Sequence, residues 1–289
     1  MALSALFDLP APAKLNLFLH VVGRRADGYH LIQSAFVLID WYDTLHLERR
    51  SDGRLQRHDL GAVLPADDLC LRAARLLQAE SGCAFGADIS IDKRVPWGAG
   101  LGGGSSDAAT VLLGLNRLWG LHWPRARLQA LGLKLGADLP FFLGGRNAWV
   151  EGVGERLTPI ELAPRWWAVL KPPAALPTAA VYGHPGLVRD TAPAILSDFL
   201  ADPPGFGRND LQTPAVALCG EVGEALALLQ ACCGASRMTG SGSAVFAEAG
   251  AGDAPTKAMV DADALPPSWV GRMCRGLARH PLVGWAAGD

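Results

Sequence analysis

The sequence predicts an α+β fold in two domains, and three observations support this. Segments that alternate like strands are interleaved with segments spaced like helices, but without the regular strand–helix–strand rhythm of a doubly wound parallel sheet. The 289 residues are half hydrophobic, ample for a packed core. The composition also changes near Thr158: beyond it, Pro159 to Pro177 and Pro185 to Gly207 are rich in proline or glycine. The division is placed there, giving 1–158 and 159–289.

The elements follow in chain order. Lys14 to Val21 alternates, with Leu15, Leu17, Leu19 and Val21 on one face and Lys14, Asn16, Phe18 and His20 on the other, so it reads as a strand. Gly23 to Tyr29 is a basic, glycine-containing turn. Ala35 to Ile39 and Thr44 to Glu48 read as two further strands joined around Asp40 to Asp43. Asp68 to Gln78 has helical spacing. Ile89, Ile91 and Val95 alternate with polar residues and lead into a glycine-rich loop. Ala108, Val111, Leu112, Leu115 and Trp119 repeat at helical spacing, and Gly120 can end that helix. Arg125 to Leu135 reads as helix, Trp149 to Glu151 and Trp166 to Leu170 as strands, Glu221 to Ala231 as helix and Ala244 to Ala247 as strand.

The bulk properties exclude some function classes. A net charge of −2 gives no broad attraction to nucleic acid or to an anionic membrane. The six cysteines form no C-x-x-C pair, which argues against a zinc or thioredoxin-like site and for free thiols in a reducing compartment. The N-terminal segment has no basic region before its short apolar stretch, and no apolar run is long enough to span a bilayer. A cytoplasmic protein, monomeric or a weak homodimer, is expected.

The most informative segment is Val95-Pro-Trp-Gly-Ala-Gly-Leu-Gly-Gly-Gly-Ser-Ser-Asp107. Few of its side chains keep a ligand from the backbone, and the following helix contributes a positive N-terminal end. This is a cradle for an anion, above all a phosphate chain. The competing reading is a turn that needs glycine only for close packing. Gly98 to Gly103 matches G-x-G-x-x-G, but a dinucleotide site also needs an acid about 20 residues on. From Ala108 to Ala137 there is neither Asp nor Glu, which disfavours a nicotinamide-dependent oxidoreductase. No Gly-Lys-Ser/Thr closes a P-loop, and the His-Arg-Asp and Asp-Phe-Gly signatures of protein kinases are absent. Ser105 and Ser106 can cap the helix, donate to phosphate or hold Mg²⁺.

Pro96 to Asp107 resembles the second motif of the GHMP kinases. Ala11-Pro-Ala-Lys-Leu-Asn-Leu-Phe-Leu resembles the N-terminal motif of that family, and Met238-Thr-Gly-Ser-Gly-Ser-Ala-Val-Phe-Ala resembles its C-terminal glycine motif, all in the family's order. Arg25-Ala-Asp-Gly-Tyr-His, Leu135-Gly-Ala-Asp-Leu-Pro-Phe-Phe, Glu151-Gly-Val-Gly-Glu and Leu176-Pro-Thr narrow the resemblance to a branch whose substrate carries a cytidine diphosphate group. The likeness covers nearly the whole chain, most weakly from Gly250 to Trp269. It implies a two-domain fold with an N-terminal half like ribosomal protein S5 and a ferredoxin-like C-terminal half. It also implies transfer of the γ-phosphoryl group of ATP to an alcohol of that small molecule, on a non-mevalonate route to isoprenoid precursors.

The resemblance assigns roles residue by residue. Asp138 would be the base that takes the alcohol proton, where the residue alone also reads as a turn aspartate satisfied by backbone N–H groups. Lys14, otherwise a solvated strand residue, would stand beside Asp138 and help orient the hydroxyl, and Asn16 on the same face would donate to substrate oxygens. Tyr29 and His30 would hold the cytosine, with the neutral imidazole free both to donate and to accept; the alternative is a Tyr29 packed on its turn and a solvated His30. Tyr182 would stack on the other face of the base, and Thr178 would lie near the base–lysine pair. Gly98, Gly100, Gly102, Gly103, Gly104, Ser105 and Ser106 would bind the ATP phosphates, with Gly240 and Gly242 shaping a supporting loop. Asp107 is set aside as a helix-terminal charge. Mg²⁺ is expected with ATP, its protein ligands unassigned. The alternatives are another small-molecule GHMP kinase of mevalonate type, which would need no base-stacking aromatics, and a non-catalytic nucleotide-binding module, which would not need Lys14 and Asp138 together.

Overall fold

The computed structural model describes residues 3–260 and 265–288. Its first two strands, β1 (Ala5–Arg24) and β2 (His30–Arg50), form a long antiparallel hairpin. The separate strands expected on either side of Asp40 to Asp43 are one continuous β2. The pairing steps from Pro12–Tyr42 to Ala13–Ile39, so Asp40 and Trp41 are extra residues that bend the strand without ending it. The polar character that suggested a break has tertiary causes: Asp40 accepts the Arg275 N–H at 2.7 Å, and Asp43 accepts those of Arg94 and Val95 at 2.6 and 2.7 Å. The bend lets one strand serve several neighbours.

β3 (Leu55–Asp59) runs parallel to β4 (Gly86–Asp92), which pairs with the Thr44–Arg50 end of β2. Between them, α1 (Leu69–Ser81) begins at Asp68, whose carboxylate accepts the Leu71 N–H, and ends at Gly82 in the left-handed conformation. α2 (Gly103–Leu118) is buried along most of its length. α3 (Arg125–Leu133) and the short α4 (Leu139–Gly144) complete this layer. The four helices pack with β1, β2 and β4 around Leu45, Leu47, Ile89, Leu112, Phe141 and Phe142.

β5 (Ala148–Gly152) pairs with the Ile32–Phe36 part of β2 and with β6 (Arg156–Pro159). The chain then crosses to β7 (Arg165–Lys171), α5 (Thr178–Gly183), α6 (Leu196–Ala201), α7 (Gln212–Leu218), α8 (Gly220–Cys233), β8 (Ser236–Met238), β9 (Val245–Ala251) and β10 (Val270–Leu277). β10 pairs with β7 along most of its length, and Gly276 and Leu277 then pair with Ile39 and Leu38 of β2. The two halves therefore share one sheet, ordered β3-β4-β2-β10-β7-β9-β8, with β1 and β5 paired to β2 and β6 paired to β5. A second core between Leu15, Phe18, Trp149, Trp167 and Phe199 fills the junction, and a third lies beneath α8. Leu282 and Ala286 return to the first core. We propose the division at 158/159, with that last turn as a returning segment. The six cysteines are free. Among the described residues no helix is long and apolar enough to cross a membrane.

Candidate active site

Two loops and two strands converge where β1 passes between the halves. Lys14 is buried, yet its ammonium reaches a cavity of about 320 Å³ lined also by Asn16, Asp138, Thr178 and Tyr182. It donates to Asn16 Oδ1 at 2.5 Å and to the Gly100 carbonyl at 2.8 Å, and it lies 3.9 Å from Asp138 Oδ2. Two of its three N–H bonds are thus spent on the protein, which leaves one for an oxygen placed between Lys14 and Asp138. Burial pushes the Lys14 pKa below its ordinary value, opposed by the Asp138 charge. Asn16 is more enclosed than expected. Its side-chain amide donates to Ser34 Oγ at 3.0 Å, while its backbone N–H donates to Thr239 Oγ1 at 2.9 Å. It holds Lys14 as well as facing the cavity.

The glycine loop forms another wall. Gly98, Gly100 and Gly102 all have positive φ (57°, 75° and 71°), and all three line this cavity. Gly102 stands at the N-cap of α2 and caps it with no side chain, so the first N–H groups of the helix stay open to an anion. Gly103, Gly104 and Ser105 are the first helical residues rather than loop. Ser106 departs from expectation. It is fully buried, its N–H bonds the Gly102 carbonyl, and its hydroxyl has no partner among the described residues. The N–H is thus spent inside the helix, and the hydroxyl lies beneath its first turn. Gly240 and Gly242 also line the cavity, and their loop packs backbone against backbone on Gly100.

Beneath the first turn of α2 lies a charge cluster that sequence reasoning missed. Lys93 bonds both Asp43 and Asp107, the latter at 2.6 Å. Burial opposes the Lys93 charge, but the two carboxylates outweigh it and raise its pKa. Asp107 is therefore an interior partner of Lys93, not a terminal helix charge. The only sequence signal was a Lys and an Asp flanking the glycine run.

A second cavity of about 640 Å³ adjoins the first and shares Val153, Thr178 and Tyr182 with it. The 25–29 turn, closed by Arg25 N–H to the Tyr29 carbonyl at 2.7 Å, brings Tyr29 and His30 to its edge. Tyr29 is 65 % exposed, whereas the His30 ring lies 4.9 Å from that of Tyr182 at 32°. Arg189 donates its Nε–H to His30 Nε2 at 3.2 Å, so that nitrogen is already occupied and the ring is not free to accept there. Thr178 Oγ1 lies 2.8 Å from Ser241 Oγ and joins α5 to the second glycine loop. Thr239 and Ser241 sit inside a recognised motif, but nothing local in the Pro- and Gly-rich stretch singled out Arg189. Among the described residues no group of three His, Cys, Asp or Glu gathers to hold a metal.

Comparison with known proteins agrees with this geometry. The GHMP kinases N terminal domain matches residues 68–146, and the GHMP kinases C terminal region matches 198–258. The 4-diphosphocytidyl-2-C-methyl-D-erythritol kinase of Methylibium petroleiphilum is 75 % identical over 286 residues, covering 99 % of this chain and all of that protein. The kinase of the same name from Ralstonia nicotianae is 56 % identical, covering 96 % of each chain. A crystal structure of 4-(cytidine 5'-diphospho)-2C-methyl-D-erythritol kinase superposes with a TM-score of 0.78 at 38 % identity, covering 92 % of this chain and 98 % of that one. The mevalonate kinase of L. major, 17 % identical, shares the fold with a TM-score of 0.61 over 86 % of this chain and 88 % of its own. Taken with the paired cavities and the glycine cradle, these likenesses show that the chain belongs to the GHMP kinase family, among its 4-diphosphocytidyl-2-C-methyl-D-erythritol kinases.

Proposed function

We propose that the protein transfers the γ-phosphoryl group of ATP to the 2-hydroxyl of 4-diphosphocytidyl-2-C-methyl-D-erythritol, giving the 2-phosphate and ADP. One observation carries the reading. The cavity holding Lys14 and Asp138 is walled by a phosphate-type glycine cradle and opens, through Thr178 and Tyr182, into a cavity edged by Tyr29 and His30. A substrate with a pyrimidine at one end and an alcohol at the other spans the two.

Phosphoryl transfer asks mainly for positioning and charge neutralisation. In the proposed step Asp138 accepts the hydroxyl proton as the alcohol oxygen bonds to the γ-phosphorus. The bond from that phosphorus to the bridging oxygen breaks, and ADP leaves with its electron pair. The free N–H of Lys14 meets the negative oxygens between the two groups. Backbone amides of Gly98, Gly100 and Gly102, with the α2 N-terminus at Gly103, Gly104 and Ser105, hold the phosphates. Mg²⁺ would supply further neutralisation. With no group of three His, Cys, Asp or Glu gathered among the described residues, the site suits an ion carried on phosphate oxygens, with Ser105 as the side-chain candidate. The six free thiols support a cytoplasmic place.

The test is direct. Purified protein with Mg-ATP and the cytidyl substrate should release ADP and the phosphorylated product together. No turnover above a no-enzyme control, with mevalonate phosphorylated instead, overturns the proposal.

A further inference from the structure

Ser34 lies in the first part of β2, fully buried and outside the lining of both cavities. Opposite it, the pairing of β1 steps from Asn16–Phe36 to Leu19–Ser34, so β1 carries one extra residue just beyond Lys14 and Asn16. Such a bulge re-aims the side chains beside it, and its buried carbonyls need partners. Two side chains supply them. The Arg237 guanidinium donates to the Leu17 carbonyl, and the Ser34 hydroxyl donates to that of Phe18. With its one proton spent there, Ser34 Oγ meets Asn16 as an acceptor and takes the Nδ2–H at 3.0 Å. The Asn16 amide is thereby fixed with Oδ1 on its other side, where Lys14 Nζ donates to it at 2.5 Å. An ammonium has donors only, so the direction of every bond from Lys14 to the Phe18 carbonyl is determined.

Lys14 depends on such support. Asp138 Oδ2 is 3.9 Å away, too far for a hydrogen bond, and burial works against the ammonium charge. Tyr182, the other titratable side chain lining that cavity beside Lys14 and Asp138, is kept neutral by burial and by the Asp138 charge. The Phe36 ring lies 5.0 Å from Nζ. The place of the ammonium therefore follows its two acceptors, the Gly100 carbonyl and Asn16 Oδ1. We propose that Ser34 is a positioning residue for phosphoryl transfer: by fixing the amide orientation of Asn16, it keeps the Lys14 ammonium aimed at the space beside Asp138. This rests on the kinase reading above. It adds a residue buried away from both cavities that sets the geometry of the lysine at the reacting oxygens.

The effect on Lys14 can be read without substrate. In protein carrying ¹⁵Nζ-lysine, the Lys14 signal is assigned by its loss in Lys14→Met and followed against pH. Losing the Asn16 acceptor disfavours the charged form. Ser34→Ala should therefore lower the Lys14 pKa by about one pH unit, the size expected for one hydrogen bond to a charged group. In steady-state assays kcat should fall at least about 10-fold, its alkaline limb should move down in step, and the KM for ATP should hold. Ser34→Cys keeps the volume with a weak donor and acceptor and should behave alike, whereas Ser34→Thr keeps the hydroxyl and should keep the wild-type limb. A cycle with Asn16→Ala tests the route: acting through Asn16, the Ser34→Ala change should slow Asn16→Ala no further. An unmoved Lys14 titration in both Ser34→Ala and Ser34→Cys overturns the inference. So do additive losses in the cycle, since Ser34 would then only pack the strand. A wild type that turns over no cytidyl substrate overturns the kinase reading and the inference with it, whereas turnover that Ser34→Ala leaves unchanged overturns the inference alone.

Discussion

Asp138 occupies the N-cap of α4 without capping it. A capping residue needs extended backbone so that its side chain can turn back to the N–H groups of the first turn. Asp138 is instead helical (φ −81°, ψ −19°), and Pro140 in the first turn offers no N–H. The carboxylate makes no capping hydrogen bond and faces Lys14. This argues against the turn-aspartate alternative and for a group kept available for chemistry. Asp138→Asn keeps the shape and removes the base, so kcat should fall by at least roughly 100-fold with the KM for ATP little changed. Near-normal kcat in steady-state assays would show that Asp138 is not the base. Tyr182 is neutral at working pH, its hydroxyl pKa pushed up by burial and by the Asp138 charge, which suits the stacking role proposed for its ring. Base–aromatic stacking is worth about 1–3 kcal/mol. Tyr182→Ala should therefore raise the KM for the cytidyl substrate by about 10- to 100-fold and spare that for ATP. The reverse pattern would move Tyr182 to the nucleotide side.

At the scale of elements, the site depends on two glycine loops in backbone contact. A Cβ on Gly242 would lie 1.9 Å from the Gly100 nitrogen and 2.0 Å from the Ala99 carbonyl carbon, and neither is a flexible side-chain tip. Gly242→Ala must push the loops apart and displace the Gly100 carbonyl that holds Lys14. We expect kcat/KM to drop at least about 100-fold while the circular dichroism spectrum stays native, since a small misplacement near the chemistry costs about that much. Retained activity would mean that the loops are not mechanically coupled. The glycine run, the Lys14 strand and the long helices were legible in the sequence because their patterns are local. α4 was not, since six residues cannot display a helical period. The unbroken course of β2 was not either, because the partners of Asp40 and Asp43 lie 50 or more residues away. The burial of Ser106 was hidden for a related reason: a serine beside a glycine loop looks available, and only the seating of α2 turns it inward. Arg189 is seated on carbonyls whose directions no sequence pattern encodes.

For the whole molecule, the two halves are joined in one sheet, and the C-terminal segment then closes back over the first. After β10, the His280 N–H bonds the Gly145 carbonyl at 2.9 Å, and Arg125 donates to the carbonyls of Leu143 (2.6 Å) and Ala286 (3.1 Å). His280 is 1 % exposed; its Nδ1 accepts the Leu282 N–H at 3.0 Å, and its Nε2 has no partner among the described residues. Burial first, and the Arg125 charge second, hold its pKa down at about 4 against an ordinary 6.5. Between those values the unfolded chain takes a proton that the folded chain refuses, so stability is full above the ordinary value and falls as pH drops toward the folded one. At about 1.4 kcal/mol per pH unit, this one group should cost roughly 2 kcal/mol between pH 7 and pH 5. His280→Gln cannot titrate and should lose that share of the slope, whatever it does to stability at pH 7. Urea denaturation of both proteins at pH 7, 6 and 5 measures the difference. Parallel slopes would mean that the closing turn opens locally and protonates His280 without unfolding the rest, and the C-terminal segment would then be a separable latch rather than part of the cooperative fold.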